Sequence, residues 1–205
     1  MKKAATTLLI GLLLIVNSLY SQSPLPIAGK APDFIAKNSK GETIQLSKIL
    51  EKGPVVIVFY RGNWCKHCNR QMQNMEDSLS MIRDLGATLI AITPEDSTNV
   101  GISRAKTDAS FMVVPDAGHK IMDMYNVSYE LGRMMTMGMR VMGINIKQIS
   151  TSKDRTLPVP ATYVIDANGI IRARHFDEDY RNRMSVKNIL NALKYTISLA
   201  SIGRQ

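Results

Sequence analysis

The segment PVVIVFYRGNWCKHCNRQM, residues 54–72, holds both cysteines of the chain directly behind a run of β-branched and aromatic residues. The run Val55 to Tyr60 is apolar without interruption, which is typical of a strand buried on both faces in the middle of a mixed sheet. From Cys65 onward, large apolar residues recur every three or four positions until Gly86. This spacing predicts an amphipathic helix that ends at the glycine. The two thiols therefore lie at a predicted junction between strand and helix.

Working outward, ATLIAIT (87–93) predicts a second buried strand, so that strand, helix and strand form one parallel crossover unit. Residues 34–46 predict a hairpin around the turn NSKGE, and PATYVIDANGIIRARHF (160–176) predicts another, turning at 167–169. Further predicted elements are a helix at 97–108, a strand at 111–116, a short helix at 118–125, an irregular stretch at 127–156 and a closing helix at 185–201.

This order, β-α-β followed by β-β-α, predicts an α/β chain with a thioredoxin-like fold. A central mixed β-sheet is flanked by helices, and the first hairpin is an N-terminal extension. At 205 residues the chain is long enough for one domain with a sizeable core.

Residues 1–21 have the layout of a secretory signal peptide. Lys2 and Lys3 precede an apolar run from Leu8 to Val16, and small and polar residues follow near Ser21. The run is shorter than the ~20 apolar residues of a membrane-spanning helix. We therefore expect the protein to be exported to the periplasm and cleaved near Ser21, so that residues 22–205 form the domain.

The charge pattern argues against nucleic acid as a partner. The formal charge is +9, from 26 Lys and Arg against 17 Asp and Glu. The basic residues are scattered, with no basic run and no interleaved aromatic residues, which indicates a solvated surface.

The position of the thiols predicts redox chemistry. Unpaired amides and the positive end of the helix dipole stabilise a thiolate at Cys65, and Lys66 and His67 add positive charge beside it. Cys68, one turn further, can close a disulfide with Cys65. A lowered thiol pKa makes such a disulfide more oxidising than one between ordinary thiols.

The two cysteines also allow two other uses. A static disulfide across two residues closes too short a loop to stabilise the fold much. A zinc site needs further ligands near His67, His119 or His175, and no second ligand pair occurs at metal spacing. The sequence thus predicts neither a metal nor another cofactor.

Pro160 precedes the strand that begins the second hairpin, where thioredoxin-fold proteins hold a cis-proline against the dithiol. A proline at the start of a strand is also ordinary sheet chemistry. Pro160 indicates a thioredoxin-like site only because it occurs together with Cys65 and Cys68.

With these features the sequence resembles the peroxiredoxin-like branch of the alkyl hydroperoxide reductase and thiol-specific antioxidant family. The resemblance rests on GKAPDF, VVIVFYRGNWCKHCNRQM, LIAITPE, PDAGHKIMDMYNV and LPVPATYVIDANGIIRARHFDEDYRNR, and its sharpest signatures are FYRGxWCxxC, which includes Trp64, and DYxxR. The family pattern implies that Cys68 is the peroxidatic cysteine. At the positions that Arg61, Cys65 and Pro160 occupy in this chain, the family pattern has a proline, a threonine and an arginine. Three supporting groups of the family therefore differ here.

The resemblance leaves two mechanisms open. In a thioredoxin-like mechanism Cys65 attacks and Cys68 resolves, whereas in a peroxiredoxin mechanism Cys68 attacks peroxide and Cys65 resolves. Arg61 can replace some of the lost positive charge. The strand position where thioredoxins keep a buried acid is Phe59, so His67 is a candidate for proton transfer.

A methionine-rich segment, RMMTMGMRVMG (133–143), follows these motifs. Thioether clusters suit Cu(I), and they also make adaptable apolar surfaces. We favour a surface that packs near the active site or meets protein partners.

The sequence therefore predicts an exported thiol redox enzyme that exchanges disulfides through Cys65 and Cys68. The alternatives are a peroxidase that acts through Cys68 and a copper-binding module of Met and Cys residues. The expected partners are a reducing thiol protein of the thioredoxin type and a peroxide or protein disulfide substrate, with the oligomeric state left open.

Overall fold

The structure is a computed structural model that describes residues 23–202. The expected signal peptide, residues 1–21, lies outside the described residues. No helix within 23–202 is long and apolar enough to cross a membrane.

The central sheet forms around the strand that precedes the cysteines. Strand β3 (Val55–Phe59) runs parallel to β4 (Thr88–Thr93), which in turn runs parallel to β5 (Met112–Pro115). On its other side β3 pairs antiparallel with β8 (Ala161–Ile165), and β8 pairs with β9 (Ile171–Phe176). The order is β5-β4-β3-β8-β9, so β3 is central and all its residues are buried. The predicted mixed sheet and thioredoxin-like fold are confirmed.

Helices cover both faces of this sheet. Their bounds are α1 (Leu46–Leu50), α2 (Lys66–Asp77), α3 (Leu79–Asp84), α4 (Ser97–Thr107), α5 (Lys120–Met124), α6 (Arg133–Val141), α7 (Ile146–Ile149) and α8 (Val186–Ile202), with a 3₁₀ turn at Ala117–His119. The single helix predicted after Cys65 is divided at Ser78, whose φ of −110° and ψ of 9° are not helical. Gly86, with φ of 68°, ends the second part as predicted.

The two faces of β3 contribute to two separate cores. Ile57 and Phe59 pack with the N-terminal hairpin, α1 and α5. Val56 and Val58 pack with α2, α3 and α8, and Cys65 and Cys68 belong to this second core. Because side chains alternate along a strand, each face of β3 supports one layer.

Two small sheets complete the fold. The predicted first hairpin is present as β1 (Ile35–Lys37) and β2 (Thr43–Gln45). The prediction of an irregular stretch at 127–156 is wrong, because β6 (Ser128–Glu130) pairs there with β7 (Thr156–Pro158), and α6 and α7 lie between them. This pairing joins positions almost thirty residues apart, so no local spacing within 127–156 indicates it.

Candidate active site

The dithiol lies at the junction between the end of β3 and the start of α2. Cys65 is the residue that caps α2, and its N–H donates to the carbonyl of Gly62 at 3.0 Å. The N–H of Cys68 donates to Cys65 Sγ at 3.4 Å. Cys65 is 3% exposed and Cys68 is fully buried, and both are free thiols. The structure thus brings the two predicted residues together in the reduced state.

The two thiols are not equivalent. A hydrogen bond from the Cys68 thiol is the main reason that the pKa of Cys65 falls to about 6, with further help from the Cys68 N–H and from Arg183 and Arg61. Burial opposes this shift. Burial raises the pKa of Cys68 well above its ordinary value, and the hydrogen bond to Cys65 adds to that rise. At neutral pH the pair is therefore a thiolate at Cys65 and a thiol at Cys68.

Arg183 is one of the site residues that sequence reasoning missed. Its Nη2 donates to Cys68 Sγ at 3.4 Å and lies 4.0 Å from Cys65 Sγ. Nε and Nη1 are buried without a hydrogen-bond partner in the described chain. Arg183 is the last residue of the DYxxR signature, but it lies 115 positions after Cys68, so no local spacing links the two.

Arg61 is held by two aromatic rings. Its guanidinium carbon lies 4.7 Å from the centre of the Trp64 ring and 4.4 Å from that of Tyr180. Arg61 is only 7% exposed, and its charge helps to lower the pKa of Cys65. The structure thus places Arg61 and Trp64 at the site, as the sequence predicted, and adds Tyr180 to them.

Lys66 and His67 differ from expectation. Lys66 is exposed and is not among the charges that shift the pKa of either cysteine. Partial burial, together with the charges of Lys66 and nearby arginines, lowers the pKa of His67, so its ring is neutral at pH 7. His67 instead packs edge-on against Tyr180 at 5.6 Å. The positive charge predicted at these two positions comes from Arg183 and Arg61.

A buried acid supports the loop that precedes Cys65. Glu95, 1% exposed, accepts hydrogen bonds at Oε1 from the N–H of Asn63 at 2.9 Å and from its side-chain amide at 2.7 Å. Gly62 has φ of 141°, and a Cβ there would meet Glu95 Oε1 at 2.7 Å, so only glycine fits. Burial raises the pKa of Glu95 to about 7. In the sequence, Glu95 is the last residue of the LIAITPE match, and no role was predicted for it.

Phe59 and Pro160 complete the comparison with a thioredoxin site. Phe59 points into the other core, where it packs against Tyr125 and Tyr163. The described residues contain no cis peptide bond, so the expectation of a cis-proline at Pro160 is wrong. Pro160 is buried and lies between β7 and β8.

The histidines considered as zinc ligands can be located in the described residues. Within 23–202, no group of three or more His, Cys, Asp or Glu side chains is arranged to hold a metal ion. His119, one of the ligands considered, is bound through Nε2 to the carboxylate of Asp154 at 2.8 Å.

The methionine-rich segment forms α6 and the turn after it. Met139 packs inward against a small apolar cluster that also contacts Trp64, so this segment does lie near the dithiol loop. The remaining methionines of the segment point outward and are exposed: Met134, Met135, Met137 and Met142.

Comparisons with known proteins show the family of this chain. The profile of the AhpC/TSA family matches residues 27–174. The chain is 24% identical over 164 residues to the thiol-disulfide oxidoreductase ResA of Geobacillus kaustophilus, covering 80% of this chain and 76% of that protein. It is 28% identical over 169 residues to the chloroplastic peroxiredoxin Q of Suaeda salsa, covering 82% of this chain and 66% of that protein.

Solved structures share the fold. Peroxidoxin BcpB of Mycobacterium tuberculosis superposes with a TM-score of 0.65 at 15% identity, covering 83% of this chain and 97% of that chain. A putative protein disulfide isomerase of Bacteroides thetaiotaomicron superposes with a TM-score of 0.59 at 18% identity, covering 85% and 91%. At these identities the structural likeness establishes the fold alone.

Proposed function

Because the chain belongs to the AhpC/TSA family and is a thiol-dependent oxidoreductase, we propose that it exchanges disulfides through Cys65 and Cys68. Its substrates are disulfides, and a reducing thiol protein of the thioredoxin type returns the oxidised pair to the dithiol. The arrangement of charge and protons at the two sulfurs carries this proposal.

In the first step the Cys65 thiolate attacks one sulfur of a substrate disulfide. A bond forms between Cys65 Sγ and that sulfur, and the other substrate sulfur leaves as a thiolate. In the second step Cys68 loses its proton to the departing thiolate or to solvent and attacks Cys65 Sγ. The enzyme disulfide forms, the second substrate thiol leaves, and two electrons have passed from the dithiol to the substrate.

The observation that carries the order of attack is the opposite direction of the two pKa shifts. Cys65 is ionised near neutral pH, and thiolates rather than thiols are the nucleophiles in exchange. Cys68 is fully buried and stays protonated until the mixed disulfide forms. The loss of the Cys65 charge at that moment removes one cause of the high Cys68 pKa, which favours the second step.

A specific contact favours a peroxidase as the second candidate. Arg183 Nη2, at 3.4 Å from Cys68 Sγ, supplies a cation beside the sulfur at which the family attacks peroxide, although Pro160 replaces the family arginine. Peroxide reduction also needs donors that stabilise the breaking oxygen-oxygen bond, and one lost donor costs ~10²-fold or more in rate. The threonine position is Cys65 here, so we propose slow peroxide turnover.

Stopped-flow fluorescence tests this choice on the wild-type protein. Trp64 is the only tryptophan of the chain and is adjacent to Cys65 in sequence, so its emission reports oxidation of the pair. Reduced protein is mixed with equal concentrations of hydrogen peroxide or of a small neutral disulfide. The proposal requires the disulfide to react faster. A faster reaction with peroxide would contradict disulfide exchange and support the peroxidase function.

We also propose that the protein is exported and acts in the periplasm as a single domain, residues 22–205, after removal of residues 1–21. The support is the charged and apolar pattern of that segment. Intact-mass measurement of the protein recovered from its cells tests this. A chain that begins near residue 22 supports export, and a cytoplasmic chain that begins at Met1 contradicts it.

A further inference from the structure

A cavity of about 520 Å³ opens beside the dithiol, between α2 and the start of α8. Its size lies within the range of small-molecule sites, ~300–1,000 Å³. Arg183 joins it to the reacting sulfurs, because this side chain lines the cavity and also contacts Cys68 Sγ at 3.4 Å. Only the Arg183 side chain therefore separates a ligand in the cavity from the reacting sulfurs.

The lining is cationic. Arg70, Arg181 and Arg183 all line the cavity, and Asp77 is the acidic residue among them. Asp179 holds Arg181 in a two-pronged pair, with Nη2 at 2.7 Å and Nε at 2.8 Å. Arg70 has no ion pair or hydrogen bond within residues 23–202, and two nitrogens of Arg183 have none either. Asp77 is likewise unpaired within residues 23–202, so one free carboxylate faces the cations of Arg70 and Arg183, and the net charge of the lining is positive.

A buried amide adds to this unmet capacity. Gln71 is 6% exposed, lies one turn after Cys68 and lines the cavity, yet its Oε1 has no hydrogen-bond partner in the described chain. Buried side-chain amides are normally bonded, so an unpartnered one in a cavity wall points to a polar ligand. The unpartnered Oε1 is an acceptor and needs a donor on the ligand. The NH₂ of the same side chain donates to no residue within 23–202 and can offer a hydrogen bond to a carboxylate.

The start of α8 faces the same cavity. Ser185 caps this 17-residue helix by accepting a hydrogen bond from the Asn188 N–H at 3.2 Å, and Ser185 and Val186 line the cavity. The first turn of a helix favours anions. Met75 and Met184 provide an apolar wall on the lining as well.

We propose that this cavity binds the carboxylate of a low-molecular-weight disulfide, which is thereby presented to Cys65 as a substrate. This inference rests on the proposed function and adds a substrate class to it. The carboxylate lies against Arg70, Gln71 and the start of α8, and the apolar wall contacts the short chain that leads to the sulfur. The reaction is the exchange already described, so no further oxidant or reductant is needed.

Three symmetric disulfides of similar length and different charge test the proposal. They are 3,3′-dithiodipropionate (anionic), bis(2-hydroxyethyl) disulfide (neutral) and cystamine (cationic). The second-order rate of oxidation of the reduced wild-type protein is measured with each at low ionic strength. Because their leaving thiols also differ in pKa, each rate is divided by the rate of the same disulfide with a free small-molecule thiolate. We expect the anionic disulfide to react about threefold to tenfold faster than the neutral one, as charge-assisted contacts allow, and cystamine to react slowest.

Variants separate a local site from the overall basic charge. Arg70→Gln removes the unpaired cation of the lining, and Gln71→Leu removes the amide while keeping its bulk. Lys187→Gln is the matched control, because Lys187 is exposed next to Val186 but does not line the cavity. We expect Arg70→Gln and Gln71→Leu to lose the preference for the anionic disulfide and keep the rate with the neutral one, and Lys187→Gln to change neither.

The outcomes distinguish this inference from the proposed function. If the neutral disulfide reacts through Cys65 but the anionic one has no advantage, the cavity proposal fails and disulfide exchange stands. An equal loss of preference in Lys187→Gln and Arg70→Gln would show a general charge effect and also overturn the cavity proposal. If none of the three disulfides oxidises the pair, disulfide exchange itself fails.

Discussion

Replacing Cys68 tests which contact makes Cys65 a thiolate. The Cys68 thiol donates the hydrogen bond that is the largest cause of the lowered Cys65 pKa. Cys68→Ala removes this donor, and Cys68→Ser keeps one in the same place. Both variants contain a single cysteine, so each titration curve belongs to Cys65 alone.

The size of the effect follows from the strength of such a bond. A hydrogen bond to a charged acceptor contributes ~1.5–3 kcal/mol, and one pKa unit corresponds to ~1.4 kcal/mol. Loss of the donor should therefore raise the pKa of Cys65 by about one to two units, from its native value of about 6. The backbone N–H of Cys68 still donates to Cys65 Sγ in both variants, so part of the shift remains.

The ultraviolet absorbance of the thiolate, followed against pH, measures this pKa without requiring access to a buried sulfur. We expect Cys68→Ser to titrate close to the native Cys65 and Cys68→Ala to titrate clearly higher. If the two variants titrate at the same pH, the side-chain hydrogen bond is not the main cause, and the positive charges and helix terminus must account for the shift instead.

Three further predictions concern the groups around the pair. Arg183→Met should raise the Cys65 pKa in the same absorbance titration, whereas Arg181→Met, which removes a cation already held by Asp179, should change it little. In the oxidised protein, raising the pH from 5 to 8 should cost the wild type about 2.5 kcal/mol of stability relative to Glu95→Gln. The folded protein keeps a proton on Glu95 up to pH about 7, whereas the unfolded chain releases it near 4.5. Equal pH dependence of denaturation in both proteins would contradict this. In the reduced protein, the pKa of Cys65 is about 6, against 9.0 in an unperturbed thiol. The free energy of unfolding should therefore rise between pH 6 and pH 9. Cys65→Ser should lack this rise in the same denaturation series.

The central elements were predictable because their signals are local. The apolar run of β3 and the three- and four-residue spacing after Cys65 each lie within one segment, so the sequence predicts both the strand and the helix that hold the thiols. The position of Cys65 at the helix start followed directly. A lowered Cys65 pKa is thus a prediction that the structure supports, although through different charges.

The remainder of the site depends on contacts between distant parts of the chain. Arg183 reaches the sulfurs from 115 positions beyond Cys68, and Glu95 reaches Asn63 from the end of the neighbouring strand. No spacing rule relates such pairs, since the sheet and α8 bring them together only on folding. The sequence therefore gives too much weight to Lys66 and His67 as the positive charges that lower the pKa of Cys65. His67 is neutral because burial and the surrounding cations lower its own pKa.

Trapping the first covalent intermediate tests the central claim most directly. Reduced Cys68→Ser and Cys65→Ser are each mixed with the neutral disulfide and with hydrogen peroxide, and the products are identified by intact mass and peptide mapping. The account predicts that Cys68→Ser accumulates a mixed disulfide on Cys65 while Cys65→Ser remains largely unreacted. Rapid peroxide consumption by Cys65→Ser, with a sulfenic acid on Cys68, would contradict the account and establish Cys68 as the attacking sulfur.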